Sequence, residues 1–173
     1  MRNNLNDLIR RGEVINEKVW EANYPAVSPG IFSKIVQYLD IVLPDDFLAI
    51  TTHISYECSP LFQFFILDVD ADDWSGIIKN NFEIRKQYIK DSEGKSDMSH
   101  ILVLADDDGG SVFMITQDSP EKPTPVIWCD YGDMYYYSIH KKFRNTHDEW
   151  PSFTAFFEYL VEQEEQKLKE DLS

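Results

Sequence analysis

Residues 101–139 constrain the fold more than any other part of this sequence. The segments 101–105, 111–116, 126–129 and 134–139 are apolar, β-branched or aromatic, and clusters rich in aspartate and glycine, or a proline-bearing loop, separate them. Short apolar runs bounded in this way are the sequence signal for antiparallel hairpins. The first two segments carry apolar residues at both odd and even positions, which is typical of strands that are covered on both faces. We therefore predict a central meander of three or four strands with at least one helix packed against it.

The rest of the chain predicts helices and one further strand. The predicted helices cover residues 4–22, 31–41, a segment that starts after Pro44, a segment from Asp72 or Asp73 to about 90, and a C-terminal segment capped by Ser152. Gly12 is a weak point of the first helix, and the charged end of the last helix, 162–173, is expected to fray. The nearly continuous apolar run 61–67 predicts a strand. This order predicts an α+β fold: a single domain with a mainly antiparallel central sheet flanked by helices.

The net charge restricts the classes of partner. The chain has 31 acidic and 16 basic residues, which gives a formal charge of −15 at pH 7. Such a surface repels nucleic acid and attracts basic proteins, although acidity that only maintains solubility is the simpler alternative. No apolar run approaches the length of a membrane span, and the N-terminus has no secretory signal. We expect a cytoplasmic protein without a nucleic-acid or membrane partner.

No motif for catalysis or for a cofactor stands out, so we predict a protein that is not an enzyme. The acidic segment after residue 67 begins like a calcium loop, but Asp73 and Lys79 replace the required glycine and glutamate. The run 106–110 suits a tight hairpin turn better than a divalent-ion site. The four histidines lack metal-ligand spacing. Cys58 and Cys129 have no partner motif and are expected to be small buried hydrophobes, so neither a metal nor a cofactor is predicted.

Aromatic and acidic residues alternate at the end of the meander and predict a protein-binding face. Tyrosine and tryptophan are effective interface anchors because they combine a large rigid area with one polar group. For any single ring, packing beneath a helix is the alternative, but burial of the whole set is not expected. The predicted partner-binding residues are Asp106, Asp107, Asp108, Trp128, Asp130, Tyr131, Asp133 and Tyr135.

Four segments carry a resemblance to a known family. They are a helix followed by Leu43-Pro44-Asp45-Asp46-Phe47 within 25–50, the strand–turn–strand 102–118, the Pro-Val-x-x-x-Asp pattern of 125–130, and Ser152-Phe153-Thr154-Ala155-Phe156-Phe157. In this order and spacing they resemble the SUKH superfamily, which includes a yeast cell-wall synthesis regulator and many bacterial immunity proteins. The resemblance covers about 25–165. It implies a SUKH-like domain over 25–173 and leaves 1–24 as an N-terminal helical extension.

The resemblance implies a sheet wrapped by helices and, in bacteria, a cytoplasmic immunity protein. Such a protein binds and neutralises a cognate polymorphic toxin, often a nuclease, whose basic substrate groove an acidic protein can occupy without carrying out a reaction. A regulatory or scaffold domain without a toxin partner is the alternative function. A third is an enzyme or binding protein for a small molecule, with a cleft that the sequence does not reveal. We expect a monomer or a weak dimer.

Overall fold

The sheet has five antiparallel strands in the part of the chain that the structure describes. This structure, a computed structural model, describes residues 2–20, 27, 29–56, 59–67, 76–107 and 109–171. The strands are β1 (Gln63–Phe64), β2 (Ile101–Asp106), β3 (Gly110–Ile115), β4 (Val126–Asp130) and β5 (Asp148–Trp150). They lie in the order β1-β2-β3-β4-β5, so neighbours in the sheet are also neighbours in sequence. The predicted α+β fold with a mainly antiparallel sheet is confirmed.

Six α-helices flank this sheet within the described residues. They are α1 (Arg2–Ile15), α2 (Pro29–Leu39), α3 (Asp45–Thr51), α4 (Ile77–Asp91), α5 (Tyr131–His140) and α6 (Phe153–Asp171). A π-helical turn, Asn16–Trp20, continues α1 and places the Trp20 ring 6.3 Å from the Phe157 ring. None of the helices in the described residues combines the length and the apolar character needed to cross a membrane.

The register of the strands sorts their side chains onto two faces, and both faces are covered. One row of cross-strand partners on the first face consists of Phe64, Ala105, Val112, Trp128 and Asp148. Helix α6 covers this face, where the ring of Phe156 lies 6.2 Å from that of Phe64. Helix α5 covers the second face, where Tyr137 lies 6.3 Å from Phe113. Helix α4 lies beside α5 and packs against β2. The prediction of at least one covering helix is confirmed.

Most of the predicted helices are present with shifted ends. Helix α1 and the π-helical turn account for the predicted helix 4–22 as far as residue 20, and residues 21–22 lie outside the described residues. Helix α2 accounts for 31–41, and α3 begins directly after Pro44. Helix α6 begins after Ser152, whose hydroxyl oxygen accepts the N–H of Ala155 at 3.2 Å. Helix α4 begins at Ile77, and the predicted caps Asp72 and Asp73 lie outside the described residues.

The charged end of α6 was expected to fray but is helical to Asp171. Two contacts explain the difference. Leu168 packs against the core. Glu165 accepts two hydrogen bonds of 2.9 Å from the guanidinium of Arg11 on α1, a bidentate geometry that favours a fixed pair. The last turns of α6 are therefore held by α1.

Segment 134–139 was predicted as a fourth strand of the meander, and this prediction is wrong because the segment belongs to α5. The carboxylate of Asp130 accepts the N–H of Asp133 at 2.8 Å, which caps the helix. The Asp-Tyr-Gly-Asp segment is thus the helix start and not a hairpin turn. The β propensity of consecutive tyrosines is weak compared with this cap and with the packing of α5 on the sheet.

The two edges of the sheet also differ from the sequence prediction. Within 61–67 only Gln63–Phe64 forms a strand, paired with β2; the N–H of Phe65 adds one bond of 2.8 Å to the carbonyl of Leu104. Ile66 makes an isolated parallel bridge to Gly76. Continuous apolar character does not distinguish an extended edge from a strand, which explains the overestimate. Strand β5 was not predicted because Asp148 and Glu149 are polar, although charged residues are usual at sheet edges.

One buried amide supports the middle of β2. Asn81 of α4 donates to the carbonyl of Val103 at 2.8 Å, and its side-chain oxygen accepts the Val103 N–H at 2.8 Å. The pairing of β2 with β3 shifts register between Val103 and Ala105, so these backbone groups are available to a side chain. Asn81 thereby satisfies the backbone N–H and carbonyl of Val103 at a bulge that faces the covering helix.

Of the two cysteines that were predicted to be buried, the structure describes Cys129. Cys129 is buried, as predicted, and burial together with Asp133 and Asp130 raises the pKa of its thiol to about 12. The thiol is therefore protonated at neutral pH. Cys58 lies outside the described residues.

Candidate functional site

The turn between β2 and β3 is organised by the side chain of Asp107. One carboxylate oxygen accepts the N–H groups of Gly109 at 3.0 Å and Gly110 at 2.9 Å. The N–H of Asp107 donates to the carbonyl of Gly110 at 3.0 Å. Such side-chain-to-backbone bonds are the reason that aspartate is frequent in turns. The predicted hairpin turn is confirmed. None of the described residues of this turn has a positive φ.

Trp128 and Tyr131 attach this turn to the junction between β4 and α5. The indole N–H of Trp128 donates to the second carboxylate oxygen of Asp107 at 3.0 Å. The hydroxyl of Tyr131 donates to the Asp107 backbone carbonyl at 2.6 Å, and 42% of Tyr131 is exposed. Three of the residues predicted for partner binding thus form one connected cluster. We call Asp107, Trp128 and Tyr131 the hairpin face.

The charge of Asp107 is maintained by hydrogen bonds. Burial alone would raise the pKa of its carboxyl group, but the N–H groups of Gly109, Trp128 and Gly110 outweigh burial and lower it. No cation partner of Asp107 is present among the residues that the structure describes. Asp107 is therefore ionised at neutral pH, and only neutral donors contact it.

The other predicted residues have different surroundings. Asp106 is half-buried and accepts the hydroxyl of Ser111 at 2.6 Å, and burial raises its pKa. Asp130 is exposed and caps α5. Tyr135 is half-buried on α5, with its ring 5.2 Å from that of Tyr88. Asp108 lies outside the described residues.

Asp133 was predicted to supply charge to the binding face, and the structure corrects this prediction. Its carboxylate is fully buried and accepts hydrogen bonds from Nε of Arg144 at 3.0 Å and from the N–H of Asn145 at 3.1 Å. Burial would raise its pKa, but these donors lower it. Because Arg144 neutralises it, Asp133 fastens the segment after α5 to that helix and adds no free charge to the surface.

A groove that the sequence did not predict lies beside the hairpin face. We call it the Trp128 groove; its lining residues are Pro60, Leu61, Phe62, Gln63, Asp107, Gly109 and Trp128. Segment 60–63 approaches because β1 pairs with the end of β2. This approach depends on pairing between residues about forty positions apart, so no local signal in 60–63 indicates it. Asp148 was also missed, because the polar residues of β5 gave no strand signal; it is exposed and is the cross-strand partner of Trp128.

Two of the histidines pack against aromatic rings. The ring of His140 lies 4.1 Å from that of Tyr136, and the ring of His147 lies 4.1 Å from that of Phe143. In the described part of the chain, no group of three or more histidine, cysteine, aspartate or glutamate residues is arranged to hold a metal ion.

Two of the segments that carry the family resemblance contact each other. Asp46 of α3 accepts the N–H of Thr154 at 2.8 Å and its hydroxyl at 3.0 Å. The rings of Phe47 and Phe153 lie 4.8 Å apart. Asp46 therefore helps to cap α6, and an aromatic pair holds the two helix starts together. Comparison of the chain with protein-family models, with curated proteins and with solved structures found no match.

Proposed function

We propose that this protein is a non-catalytic immunity protein, similar to those of the SUKH superfamily, which binds a cognate polymorphic toxin in the bacterial cytoplasm. The toxin is expected to be a nuclease, whose substrate groove is basic because it binds phosphates. Neutralisation follows from steric and electrostatic occlusion of that groove. The four segments that carry the family resemblance and the net charge of −15 support this proposal.

One observation carries the proposal: Asp107 is an ionised carboxylate that has no cation partner among the described residues, and it is bonded to two aromatic residues of the type common in interfaces. The indole N–H of Trp128 donates to this carboxylate and the hydroxyl of Tyr131 donates to the backbone carbonyl of Asp107, so the residue is held in place before any partner arrives. A preorganised group loses little conformational entropy on binding, so more of its interaction energy contributes to affinity. Such a face complements the surface of a basic protein.

Exposed carboxylates near the hairpin face extend its negative potential. Asp130 lies one residue before Tyr131, and Asp148 is paired with Trp128. Clustered charge of one sign accelerates the encounter with an oppositely charged partner, and salt reduces this acceleration. Binding to the toxin should therefore weaken as salt is added, mainly through a lower association rate.

The first experiment is co-expression with the product of the neighbouring gene, followed by binding kinetics on the purified pair. Asp107→Asn and Asp130→Asn remove charge and keep one side-chain oxygen as the acceptor of the turn and of the helix cap, since asparagine is as good an N-cap as aspartate. At position 107 the amide NH2 replaces the oxygen that accepts the indole N–H of Trp128, so this variant loses that hydrogen bond as well as the charge. Asp107→Asn should raise Kd about tenfold or more, as expected for a central interface residue. The matched control is Asp118→Asn, an exposed acid beyond the opposite end of β3, which should change Kd less than about twofold.

Two results would contradict this mechanism. One is an association rate that does not change between about 50 and 500 mM NaCl. The other is an unchanged Kd in both Asp107→Asn and Asp130→Asn. A recovered partner without toxic activity would instead assign the regulatory or scaffold role.

A further inference from the structure

We propose that the Trp128 groove binds one arginine side chain of the protein partner. This inference rests on the proposed function, since it specifies which chemical group of a basic partner the hairpin face recognises. Three features of the groove support it: its aromatic lining, the uncompensated charge of Asp107, and the open space at Gly109.

The aromatic lining is held in position by the core. The ring of Phe62 lies 5.7 Å from that of Phe64 and 6.1 Å from that of Phe156. Trp128 is held by β3 on one side, by β5 on the other, and by its indole bond to Asp107. A cation that enters the groove therefore lies beside two ordered aromatic rings, and aromatic faces attract cations.

Asp107 provides the charge and one remaining acceptor position. A carboxylate has about four lone-pair positions, and three N–H groups, from Gly109, Gly110 and Trp128, already occupy three of them. All three donors are neutral, so the negative charge is not compensated by any described residue. A cation that donates one hydrogen bond to Asp107 would fill the last acceptor position and neutralise the charge.

Arginine satisfies these requirements better than lysine does. Its guanidinium group is planar and weakly hydrated, so it stacks on aromatic rings while its edge donates to a carboxylate. The ammonium group of lysine is compact and strongly hydrated and would have to lose more water to enter the groove. With about one acceptor position free, the expected geometry is stacking with a single N–H donation to Asp107.

Gly109 lines the groove and has open space around it. A Cβ atom added at this position would meet no heavy atom within 4 Å, and the residue does not have positive φ. A larger side chain can therefore be placed here without backbone strain. Gly109→Leu should fill the groove with an apolar side chain and prevent the entry of a guanidinium group.

The test is a titration of the isotope-labelled full chain with N-acetyl-arginine amide, followed through the indole N–H resonance of Trp128. The chain has four tryptophans, and Trp128→Phe identifies the relevant resonance. We expect a saturable shift with a dissociation constant of about 1–50 mM, the range of single side-chain interactions. The matched neutral probe, N-acetyl-citrulline amide, should bind at least about fivefold more weakly because it lacks the charge.

Variants locate the site. Gly109→Leu should abolish the saturable shift, Asp107→Asn should reduce it, and Asp118→Asn should leave it unchanged. The dispersion of the remaining resonances reports directly whether each variant is folded. A linear response without saturation, equal binding of citrulline amide, or full binding to Gly109→Leu would overturn the inference.

The outcomes also separate this inference from the proposed function. If the arginine probe does not bind while toxin binding still depends on Asp107, the groove assignment is wrong and the immunity role stands. If the probe binds but the neighbouring gene product neither binds nor is toxic, the groove stands and the proposed function is wrong.

Discussion

The two glycines of the β2–β3 turn are subject to different steric requirements. A Cβ atom at Gly110 would overlap the carbonyl oxygen of Cys129 and would lie 3.0 Å from its carbonyl carbon. These are backbone atoms of the paired strand β4 and have little freedom to move. A Cβ atom at Gly109 would meet only open space. Gly110 therefore allows the hairpin to lie against β4, whereas Gly109 could carry a side chain without a clash.

This difference predicts opposite effects for the same substitution at adjacent positions. Gly110→Ala should lower the free energy of unfolding by about 1–3 kcal/mol, because β3 and β4 must move apart. Gly109→Ala should leave it unchanged or raise it by up to about 1 kcal/mol, because it restricts the unfolded chain without strain in the folded one. Urea unfolding of both variants measures the difference, and equal stabilities would contradict this account of Gly110.

Individual aspartates illustrate what sequence can establish at this scale. The turn at 106–110 is predictable because aspartate and glycine have local reasons to form turns. The different fates of Asp107 and Asp133 are not predictable, since each depends on a distant donor. Trp128 lies 21 residues from Asp107, and Arg144 lies 11 residues from Asp133. Sequence therefore predicts an acidic cluster but not which of its members keeps a free charge.

At the scale of elements, local pattern and tertiary packing agree for the central strands and disagree for α5. Strands β2, β3 and β4 are apolar, bounded by turn residues and buried, so pattern and environment coincide. Segment 134–139 has strand-like composition but follows a helix cap at Asp130. A capping aspartate with a second acid three residues later is a helix-start signal, and it was present in the sequence.

Helix α1 gives a second example, because Gly12 is a contact point where sequence suggested a weak point. A Cβ atom here would lie 2.7 Å from the side chains of both Ile54 and Phe157. Both of these residues are fully buried, so neither side chain can move away freely. Gly12 lowers the helix propensity of α1 but lets the helix approach the core closely.

Gly12→Ala should therefore destabilise the protein, although alanine is the better helix former. Overpacking against Phe157 should outweigh the propensity gain of about 1 kcal/mol, so we expect a net loss of about 1 kcal/mol or more. The matched control is Asn6→Ala on the exposed side of α1, which should stabilise by about 0.5 kcal/mol. Urea unfolding measures both, and a Gly12→Ala variant more stable than the natural chain would show that α1 does not pack closely.

At the scale of the whole molecule, the excess of acidic residues has two consequences of opposite sign. The formal charge of −15 favours encounter with a basic partner, but it also makes the folded chain repel itself. Exposed charges interact over a Debye length of about 10 Å at 0.1 M salt, so moderate salt weakens both effects. The same charge that would favour a basic partner therefore reduces stability at low salt.

Added salt should consequently stabilise the free protein while it weakens partner binding. Between about 10 and 200 mM NaCl the self-repulsion is screened, and we expect a gain near 1 kcal/mol, or about 2–4 °C in Tm for a chain of this length. Thermal unfolding at pH 7 measures the gain, and repeating it near pH 5.5, closer to the sequence pI of 4.5, should give a smaller one. A Tm that falls with salt at pH 7 would mean that attractive ion pairs, such as Arg11 with Glu165, outweigh the net repulsion. Attraction and repulsion among the surface charges would then nearly cancel, and any salt dependence of partner binding would have to come from Asp107 and its immediate neighbours.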